Sequence, residues 1–296
     1  HRFGVEQRGA LRQKGYNPHL LVMTATPIPR SLELTVWGHL DVSVLDEMPP
    51  GRKPIETRVL APLEQERAYG FIRSQVEKGR QAFLIYPLVE ESDKIEARAA
   101  VEEHERLQKD IFPDLRLGLL HGRLRPDEKD EVMTAFVEGE LDILVATSVV
   151  EVGIDVPNAS VMLIDGAERF GLSQLHQFRG RVGRGEHQSY CLLLARSKTE
   201  TAAERLKAME STTDGFVLAE KDLEMRGPGE FLGTQQSGLP ELPLAMMADA
   251  RVLHEARSAA EQMLDDDPDL DMSAHRLLAE RVADVWSPEE PAGDVS

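Results

Sequence analysis

The stretch LRLGLLHGRLRPDEKDEVMTAFVEGELDILVATS, residues 115–148, indicates the fold of this chain. It begins and ends with short apolar runs, LRLGLL and LDILVA, which have the length and composition of buried strands. Between them, residues 126–138 form a predicted amphipathic helix, with Pro126 where a helix can start and Gly139 where a helix can end. The stretch therefore predicts two buried strands with a helix between them.

The same alternation runs through most of the chain. Helices are also predicted over 63–78 and 94–109, each between apolar runs. The other candidate strands are HLLVMTA (19–25), TRVLA (57–61), QAFLIYPLV (81–89), VMLIDGA (161–167) and SYCLLLA (189–195). Short apolar strands separated by helices predict an α/β fold, in which a parallel sheet is flanked by helices on both faces.

Beyond residue 195 the pattern changes. Two helices are predicted over 199–225, joined near Thr213-Asp214-Gly215, and the glycine-rich loop RGPGEFLGTQQSG follows them. A helix over 246–264 comes next, then DDDPDLD, which we expect to be a solvated linker, and SPEEPAGDVS, which we expect to be disordered. Because DEMPPGRKPIET (46–57) concentrates proline, glycine and charge, we place a linker there. The expected domains are 1–45, 46–198, 199–240 and 241–296.

Composition excludes several classes of protein. With 41% hydrophobic and 29% charged residues, no run of eighteen apolar residues and no signal peptide, the sequence predicts a soluble, cytoplasmic protein. The single cysteine, Cys191, cannot form an internal disulfide or a cysteine-based zinc site, and its apolar neighbours predict a buried thiol. The net charge is −18, but 14 acidic residues against 4 arginines lie within 239–296. A local basic face elsewhere could therefore still bind nucleic acid.

Two short stretches at predicted strand ends are candidate ligand-binding loops, since α/β folds bind ligands at the carboxyl ends of parallel strands. In TATP, Thr24 and Thr26 belong either to such a site or only to the capped start of a helix. In LLHGRLRP, Arg123 and Arg125 precede a helix, where their charge opposes the helix dipole. A bound anion would relieve that repulsion, and the alternative is a pair of arginines that faces solvent.

Two further stretches at predicted strand ends are candidate ligand-binding loops for the same reason, and they carry small polar and basic residues. In TSVVEVGIDVPN, Thr147, Gly153 and Asp155 line either a site or the exposed face of a strand. The stretch QFRGRVGR (177–184) is the most specific, because Arg181 and Arg184 stand three residues apart and would project to one side of a helical turn. Paired arginines stabilise the charge that develops on a transferred phosphoryl group. The alternative is a surface cluster paired with carboxylates.

These four stretches, in this order, resemble the motifs of superfamily 2 helicases. TAT (24–26) resembles the motif that couples the two lobes, 147–155 the fifth motif, and QFRGRVGR the sixth, of QxxGRxGR form. KGYNPHLLVMTATPIPRSL and DLEMRGPGEFLGTQQSG extend the resemblance, over residues 2–238, to the C-terminal part of the RecG-type helicases, with the transcription-repair coupling factor as the nearest relative. The resemblance implies a remnant of the first RecA-like lobe, a complete second RecA-like lobe, a translocation segment over 199–240 and a helical, acidic tail.

The resemblance also implies roles for individual residues. ATP would bind between the two lobes, with Arg181 and Arg184 reaching across the cleft as catalytic residues and Gln177 near the γ-phosphate and the attacking water. Gly153 and Asp155 would contact the nucleotide. The residues implied to contact DNA or to couple it to the motor are Thr24, Thr26, His121, Gly122, Arg123, Thr147, Arg226, Glu230 and Gln236. Without the resemblance, Arg226 is equally well explained as a cation at the end of a helix.

No GxxxxGK[ST] phosphate loop occurs, and His1 resembles the last residue of the Asp-Glu-x-His magnesium motif. We therefore expect a fragment that uses ATP and Mg²⁺ only together with upstream residues, and no metal site within it. The expected function is ATP-dependent remodelling of branched double-stranded DNA in the bacterial nucleoid. Expected partners are that DNA, the first lobe and wedge domain of the same protein, and single-stranded DNA-binding protein. The alternatives are a coupling-factor-like translocase that acts on RNA polymerase, or a non-catalytic nucleic-acid-binding domain as the isolated chain.

Overall fold

A computed structural model describes residues 51–87, 93–147, 155–197, 199–226 and 250–285, together with positions 19, 21, 23, 24, 26, 43–45 and 47–49. The chain divides into two compact units. One unit is Leu45–Leu218, and the other combines His1–Val44 with Ala219–Ser296. Among the described residues, no helix is long and apolar enough to cross a membrane.

The unit Leu45–Leu218 contains a six-stranded sheet in which every neighbouring pair is parallel. Its strands, in chain order, are β1 (Glu56–Leu60), β2 (Gln81–Ile85), β3 (Leu117–Leu120), β4 (Ile143–Ala146), β5 (Ala159–Asp165) and β6 (Tyr190–Leu194). The order across the sheet is β1-β6-β5-β2-β4-β3. The prediction of a parallel α/β sheet is therefore confirmed, and six of the seven predicted strands match the six observed strands.

Helices cover both faces of this sheet, as predicted. Before β6 the unit contains α1 (Gln65–Val76), α2 (Asp93–Arg106), α3 (Pro126–Val137) and α4 (Leu172–Arg179), and a π-helical turn, Leu107–Ile111, extends α2. On one face, Leu84 of β2 packs with Ile72 and Phe112 in an apolar cluster. On the other face, the rings of Phe83 and Phe136 meet edge to face with centroids 5.0 Å apart. Successive residues of β2 therefore pack on opposite faces of the sheet.

The helix of the opening stretch begins and ends as its sequence predicts. Pro126 is the first residue of α3, and the backbone N–H of Arg125 donates to the Glu128 carboxylate at 2.8 Å, which caps the start of the helix. Gly139 follows the end of the helix with a φ of +78°, a left-handed conformation that favours glycine.

Two helices follow β6, as predicted for residues 199–225. They are α5 (Glu200–Ser211) and α6 (Gly215–Arg226). The hydroxyl of Thr199 accepts a hydrogen bond from the Ala202 N–H at 3.3 Å and caps α5, and the Asp214 carboxylate accepts from the Phe216 N–H at 2.8 Å near the start of α6. Glu210 of α5 accepts a hydrogen bond from the Val59 N–H of β1 at 3.2 Å.

In the other unit, the described tail contains α7 (Ala250–Asp266) and α8 (Arg276–Val285). The prediction that DDDPDLD is simply a solvated linker is wrong, because its third aspartate, Asp267, is only 6% exposed. The Asp267 carboxylate accepts hydrogen bonds from the N–H groups of Asp271 and Met272, both at 2.9 Å, and lies 2.8 Å from Nδ1 of His275. One buried aspartate thus organises the turn between the two helices.

One predicted strand is not observed. His19, Leu21, Met23 and Thr24, the described positions of HLLVMTA, lie in no strand. A strand requires a hydrogen-bonded neighbour, and all six described strands pair with one another. The end SPEEPAGDVS, predicted to be disordered, lies outside the described residues.

Candidate functional site

The most specific motif of the sequence lies where α4 ends. The helix ends at Arg179, Gly180 forms its C-cap, and the segment 180–189, here called the arginine loop, leads into β6. Gly183 has a φ of +79°, which a helical turn does not contain. The prediction that Arg181 and Arg184 project from one helical turn is therefore wrong, because the two glycines end the helix and redirect the chain between the arginines.

Arg184 is held at the partly exposed rim of this loop. Its Nη1 lies 3.3 Å from Oδ1 of Asp155, and its Nε donates to the carbonyl of Gly180 at 3.2 Å. The Arg184 side chain is 24% exposed and that of Asp155 is 65% exposed. Gln177 on α4 and Arg181 in the loop, which are close to Arg184 in the sequence, are also partly buried. The structure therefore brings Arg184 and Asp155, two of the predicted nucleotide-binding residues, into direct contact.

Two glycines allow neighbouring segments to approach the arginine loop closely. A Cβ atom at Gly185 would lie 2.3 Å from the carbonyl oxygen of Pro157, which follows Asp155. A Cβ atom at Gly183 would lie 2.8 Å from Cγ1 of Ile55, which immediately precedes β1. Both distances are shorter than real Cβ contacts, so only glycine fits these two positions without displacement of the neighbours. The loop is therefore packed between the 155–158 segment and the residue before β1.

These contacts place the arginine loop at an unexpected edge of the sheet. Asp155 precedes β5, the loop precedes β6, and Ile55 precedes β1, so all three lie at the amino ends of adjacent parallel strands. The expectation that these motifs lie at carboxyl ends is wrong for the arginine loop and for Asp155. For the arginine loop, the reason is that α4 returns the chain to the starting edge of the sheet before β6 begins.

The first arginine of QFRGRVGR, Arg179, has a structural role that the sequence did not reveal. It is 2% exposed, and its Nη1 donates to the carbonyls of Met209 and Thr212, both at 2.8 Å. Its Nη2 lies 3.2 Å from Nδ1 of His176. Because arginine cannot accept a hydrogen bond, that Nδ1 must be the acceptor. Burial, followed by the charge of Arg179, lowers the pKa of His176 to about 4, so the imidazole is neutral at pH 7.

A second group of predicted residues meets at the carboxyl ends of β3 and β4. Thr147 directly follows β4, and its N–H donates to the carbonyl of Leu120, the last residue of β3, at 3.2 Å. The corner His121-Gly122-Arg123 comes directly after β3. These four predicted residues, His121, Gly122, Arg123 and Thr147, are named here the strand-end site. Thr147 is 3% exposed, and its hydroxyl has no hydrogen-bond partner in the part of the chain that the structure describes.

The corner of the strand-end site is ordered by its own residues. The Arg123 N–H donates to Nδ1 of His121 at 3.3 Å, and Nζ of Lys129 donates to the carbonyl of Gly122 at 3.0 Å. Burial, followed by the nearby charges of Lys129 and Arg123, lowers the pKa of His121. A neutral His121 that accepts at Nδ1 carries its hydrogen on Nε2, which can then donate to an anion.

Arg125 does not need the bound anion that the sequence suggested for the arginine pair. Its guanidinium lies 3.2 Å from the carboxylate of Asp127 and 3.2 Å from that of Glu128, both in the first turn of α3. Acidic residues of the helix therefore offset its charge, whereas Arg123 is exposed. Within this pair, Arg123 is the better candidate for contact with an anion.

The remaining predicted site residues are less completely described. The Thr26 N–H donates to Oγ1 of Thr24 at 3.1 Å, which is a local turn within TAT. Arg226 is the last residue of α6. Gly153, Glu230 and Gln236 lie outside the described residues.

Two further residues were missed by the sequence reasoning. Ile55 and Gly185 pack against the arginine loop or form part of it, yet neither was singled out. A signal existed for Arg179, because it follows the buried residues Leu172 and Leu175 at helical spacing and so belongs to the buried face of α4. No comparable signal in the sequence identifies Ile55.

Comparison with known proteins relates this geometry to a family. The family described as helicase conserved C-terminal domain matches residues 66–186, and the family described as ATP-dependent DNA helicase RecG, domain 3, C-terminal, matches residues 212–287. The ATP-dependent DNA helicase RecG of a Synechocystis species is 58% identical over 272 residues, which cover 92% of this chain and 33% of that protein. RecG of Bacillus subtilis is 54% identical over 269 residues, which cover 90% of this chain and 39% of that protein.

A solved structure of RecG bound to a three-way DNA junction is also similar. It is 46% identical, with a TM-score of 0.63, over 81% of this chain and 32% of the solved chain. The chain thus spans between about a third and two fifths of the length of these relatives. With both family matches and more than half of the aligned residues identical to RecG proteins, the chain belongs to the RecG family and corresponds to the C-terminal part of its members.

Proposed function

We propose that this chain is the C-terminal motor portion of an ATP-dependent translocase or helicase that remodels branched double-stranded DNA, such as stalled forks and Holliday junctions. Membership of the RecG family supports the proposal, since the curated relatives are named ATP-dependent DNA helicases and one solved relative is bound to a three-way junction. Because the chain spans only part of those relatives, the activity belongs to a longer protein that also contains a first motor lobe.

The contact between Arg184 and Asp155 is the observation that carries the proposal. Asp155 and the Gly180 carbonyl hold the guanidinium of Arg184 at the surface, where its planar set of donors suits a phosphate group. Asp155 is exposed enough to accept a hydrogen bond from a ribose hydroxyl. These residues therefore fit a nucleoside triphosphate that a first lobe also contacts.

In this proposal the residues of the arginine loop act on the phosphates of ATP. Hydrolysis of the bond between the β- and γ-phosphates would supply the free energy that drives the motor. Arg184 and Arg181 stabilise negative charge that develops during the transfer, and Gln177 orients the attacking water. Gly153 and Asp155 link nucleotide binding to closure of the lobes. The Mg²⁺ ligands belong to the first lobe.

The strand-end site would contact DNA from the opposite edge of the sheet. Neutral His121 can donate from Nε2, exposed Arg123 carries a positive charge, and Thr147 places a hydroxyl at the adjacent strand end. Such contacts to phosphates position a strand without reading its sequence. Thr24 and Thr26 would couple the two lobes, and the residues proposed to drive movement along duplex DNA are Arg226, Glu230 and Gln236.

The proposed organisation has four parts. Residues 1–45 end the first lobe, 46–198 form the second lobe, 199–240 form the translocation segment, and 241–296 form a helical, acidic tail. The proposed partners are branched DNA, the wedge domain and first lobe of the same protein, and single-stranded DNA-binding protein. The proposed place of action is the bacterial nucleoid.

A restored protein tests this function. The chain would be fused to the upstream two thirds of a RecG relative, and ATP hydrolysis would be measured with and without a three-way DNA junction, with the 296-residue chain alone as control. We expect hydrolysis that the junction stimulates in the restored protein only. A restored protein that folds and binds junction DNA but hydrolyses no ATP would contradict the proposal.

A second measurement distinguishes the proposed function from that of a coupling-factor-like translocase that acts on RNA polymerase. The restored protein would be given either a forked DNA or a stalled RNA polymerase on duplex DNA. We expect unwinding of the fork. Displacement of polymerase without unwinding of the fork would favour the coupling-factor function instead.

A further inference from the structure

The segment that precedes β1 is fastened to the arginine loop. The side-chain amide of Gln188 donates to the carbonyl of Pro54 at 2.8 Å, and the Glu56 N–H donates to the carbonyl of Ser189 at 3.0 Å. Ile55, between these two attachment points, fills the space that a side chain at Gly183 would occupy. Pro54, Ile55 and Glu56 therefore contact the loop at three consecutive positions.

The opposite side of the loop is also fixed. Gly185 lies against the carbonyl of Pro157, and Asp155, two residues earlier than Pro157, contacts the guanidinium of Arg184. Arg184 itself stands between the two close-packed glycines, Gly183 and Gly185. Its position thus depends on two supports: the 155–158 segment on one side and Ile55 on the other.

We propose that Ile55 is a positioning residue for Arg184, through which the linker before β1 controls the arginine loop. The proposal rests on the function proposed above, in which the first lobe ends at residue 45 and the residues between it and β1 connect the two motor lobes. Ile55 does not touch the nucleotide in this account. It holds Gly183, and Gly183 fixes the path by which the backbone reaches Arg184.

The contact between Ile55 and Gly183 can transmit a movement of the linker to the arginine loop. Gly183 adopts a left-handed φ of +79° and has no side chain, so its place is set by its neighbours. Ile55 is branched and stiff at χ1, and its two neighbours are hydrogen-bonded to the same loop: the Pro54 carbonyl accepts from the side chain of Gln188, and the Glu56 N–H donates to the backbone of Ser189. When the linker shifts as the lobes move, the loop shifts with it. A misplacement of about 1 Å at a catalytic group can cost about a hundredfold in rate.

The first test uses the 296-residue chain and needs no activity. Trypsin cleaves after Arg184 only when the loop opens, so the rate of that cleavage reports how firmly the loop is held. We expect Ile55→Ala to raise this rate about tenfold relative to cleavage after Arg205 on α5, and Ile55→Val to restore most of the protection.

Leu60→Ala is the matched control for this test. Leu60 lies on β1, the strand that follows Ile55, is partly buried and packs against the apolar cluster of Ile72, Leu84 and Phe112. Its truncation lowers global stability and should raise cleavage at both sites equally. An unchanged ratio of the two cleavage rates in Ile55→Ala would overturn the proposal.

The second test uses the restored protein. We expect Ile55→Ala to lower kcat for ATP hydrolysis about tenfold or more with little change in KM or in junction binding, and Ile55→Val to recover kcat. A change in KM alone, or a loss that Ile55→Val fails to recover, contradicts the positioning role. If the restored protein with Ile55 intact hydrolyses no ATP, the proposed function fails, and the cleavage ratio still decides whether Ile55 holds the loop.

Discussion

The guanidinium of Arg184 lies 3.3 Å from the carboxylate of Asp155, although the two residues belong to different motifs of the sequence. Asp155 precedes β5 and Arg184 precedes β6, so the parallel pairing of β5 with β6 brings the two motifs together. Both side chains remain partly exposed, and exposed ion pairs contribute about 0–1 kcal/mol to folding. This pair therefore contributes little to stability, and its proposed role in nucleotide binding is tested by substitution.

Substitution of Arg184 should affect catalysis and leave folding nearly unchanged. In the restored protein, we expect Arg184→Ala to lower kcat for ATP hydrolysis by about 10²–10³-fold, since one donor to a developing charge is lost. Steady-state kinetics measures this loss, and thermal unfolding with junction-binding titrations provides the controls. Unchanged turnover would remove Arg184 from the site.

Substitution of Arg123 should affect DNA binding instead of catalysis. We expect Arg123→Ala to weaken binding of junction DNA and to reduce the slope of log affinity against log salt by about one. Arg125→Ala is the matched control, because Asp127 and Glu128 already offset that charge. Fluorescence anisotropy at several salt concentrations measures both. Equal slopes in the two variants would exclude Arg123 from a phosphate contact.

Gly185 should tolerate no side chain. A Cβ there would lie 2.3 Å from the Pro157 carbonyl oxygen, so we expect Gly185→Ala to lower the free energy of unfolding by about 2 kcal/mol. Gly180→Ala is the control, since its Cβ would meet carbonyl oxygens at 3.4 and 3.5 Å. Urea unfolding of the 296-residue chain measures both variants. If the two variants are equally stable, the close approach of the two segments is wrong.

The partly buried His176 predicts a pH dependence of stability. Its pKa is about 4 in the folded chain and about 6.5 when unfolded, so between these values the unfolded state binds more protons and stability falls as the pH falls. From pH 7 to pH 5 this residue should remove at most about 2 kcal/mol. We expect His176→Gln to flatten the dependence over that window in urea unfolding. An identical pH profile in the variant would show that His176 does not titrate as described.

Arg179 should hold α5 to α4. Its donors satisfy the carbonyls of Met209 and Thr212 at the end of α5, so we expect Arg179→Ala to cost about 3 kcal/mol, as for other buried, hydrogen-bonded charges. Hydrogen exchange of the α5 amides should accelerate more than that of the β5 amides. Arg169→Ala, at an exposed arginine, is the control and should change stability by less than about 0.5 kcal/mol. Equal exchange in the two variants would contradict this role.

The fold was accessible from the sequence because its signals are local. Six strands appear as short apolar runs, and the ends of α3 follow from Pro126 and Gly139, whose backbone preferences act regardless of distant neighbours. The family followed from the order of the motifs. The pairing of β5 with β6, which joins Asp155 to Arg184, is a tertiary property and needed the structure.

Details of the candidate site were less accessible for physical reasons. The three arginines within 179–184 belong to one motif in the sequence. In the structure, the first is buried at the end of α4 and the other two lie in a loop. Gly183 and Gly185 permit turns in any loop, and only the approach of Ile55 and Pro157 makes glycine necessary. Asp267 likewise differs from its acidic neighbours only through its burial.

The separation of the arginine loop and the strand-end site on opposite edges of one sheet has a thermodynamic consequence. At about 3.3 Å per residue, strands of four to seven residues keep the two groups roughly 13–23 Å apart along the strand direction, beyond the range at which mutational effects on stability usually interact. Changes in Arg184 and Arg123 should therefore be additive in the isolated chain. A coupling energy that appears only when the other lobe, ATP and DNA are present would measure how strongly the ATP site and the DNA site influence each other, as a molecular motor requires.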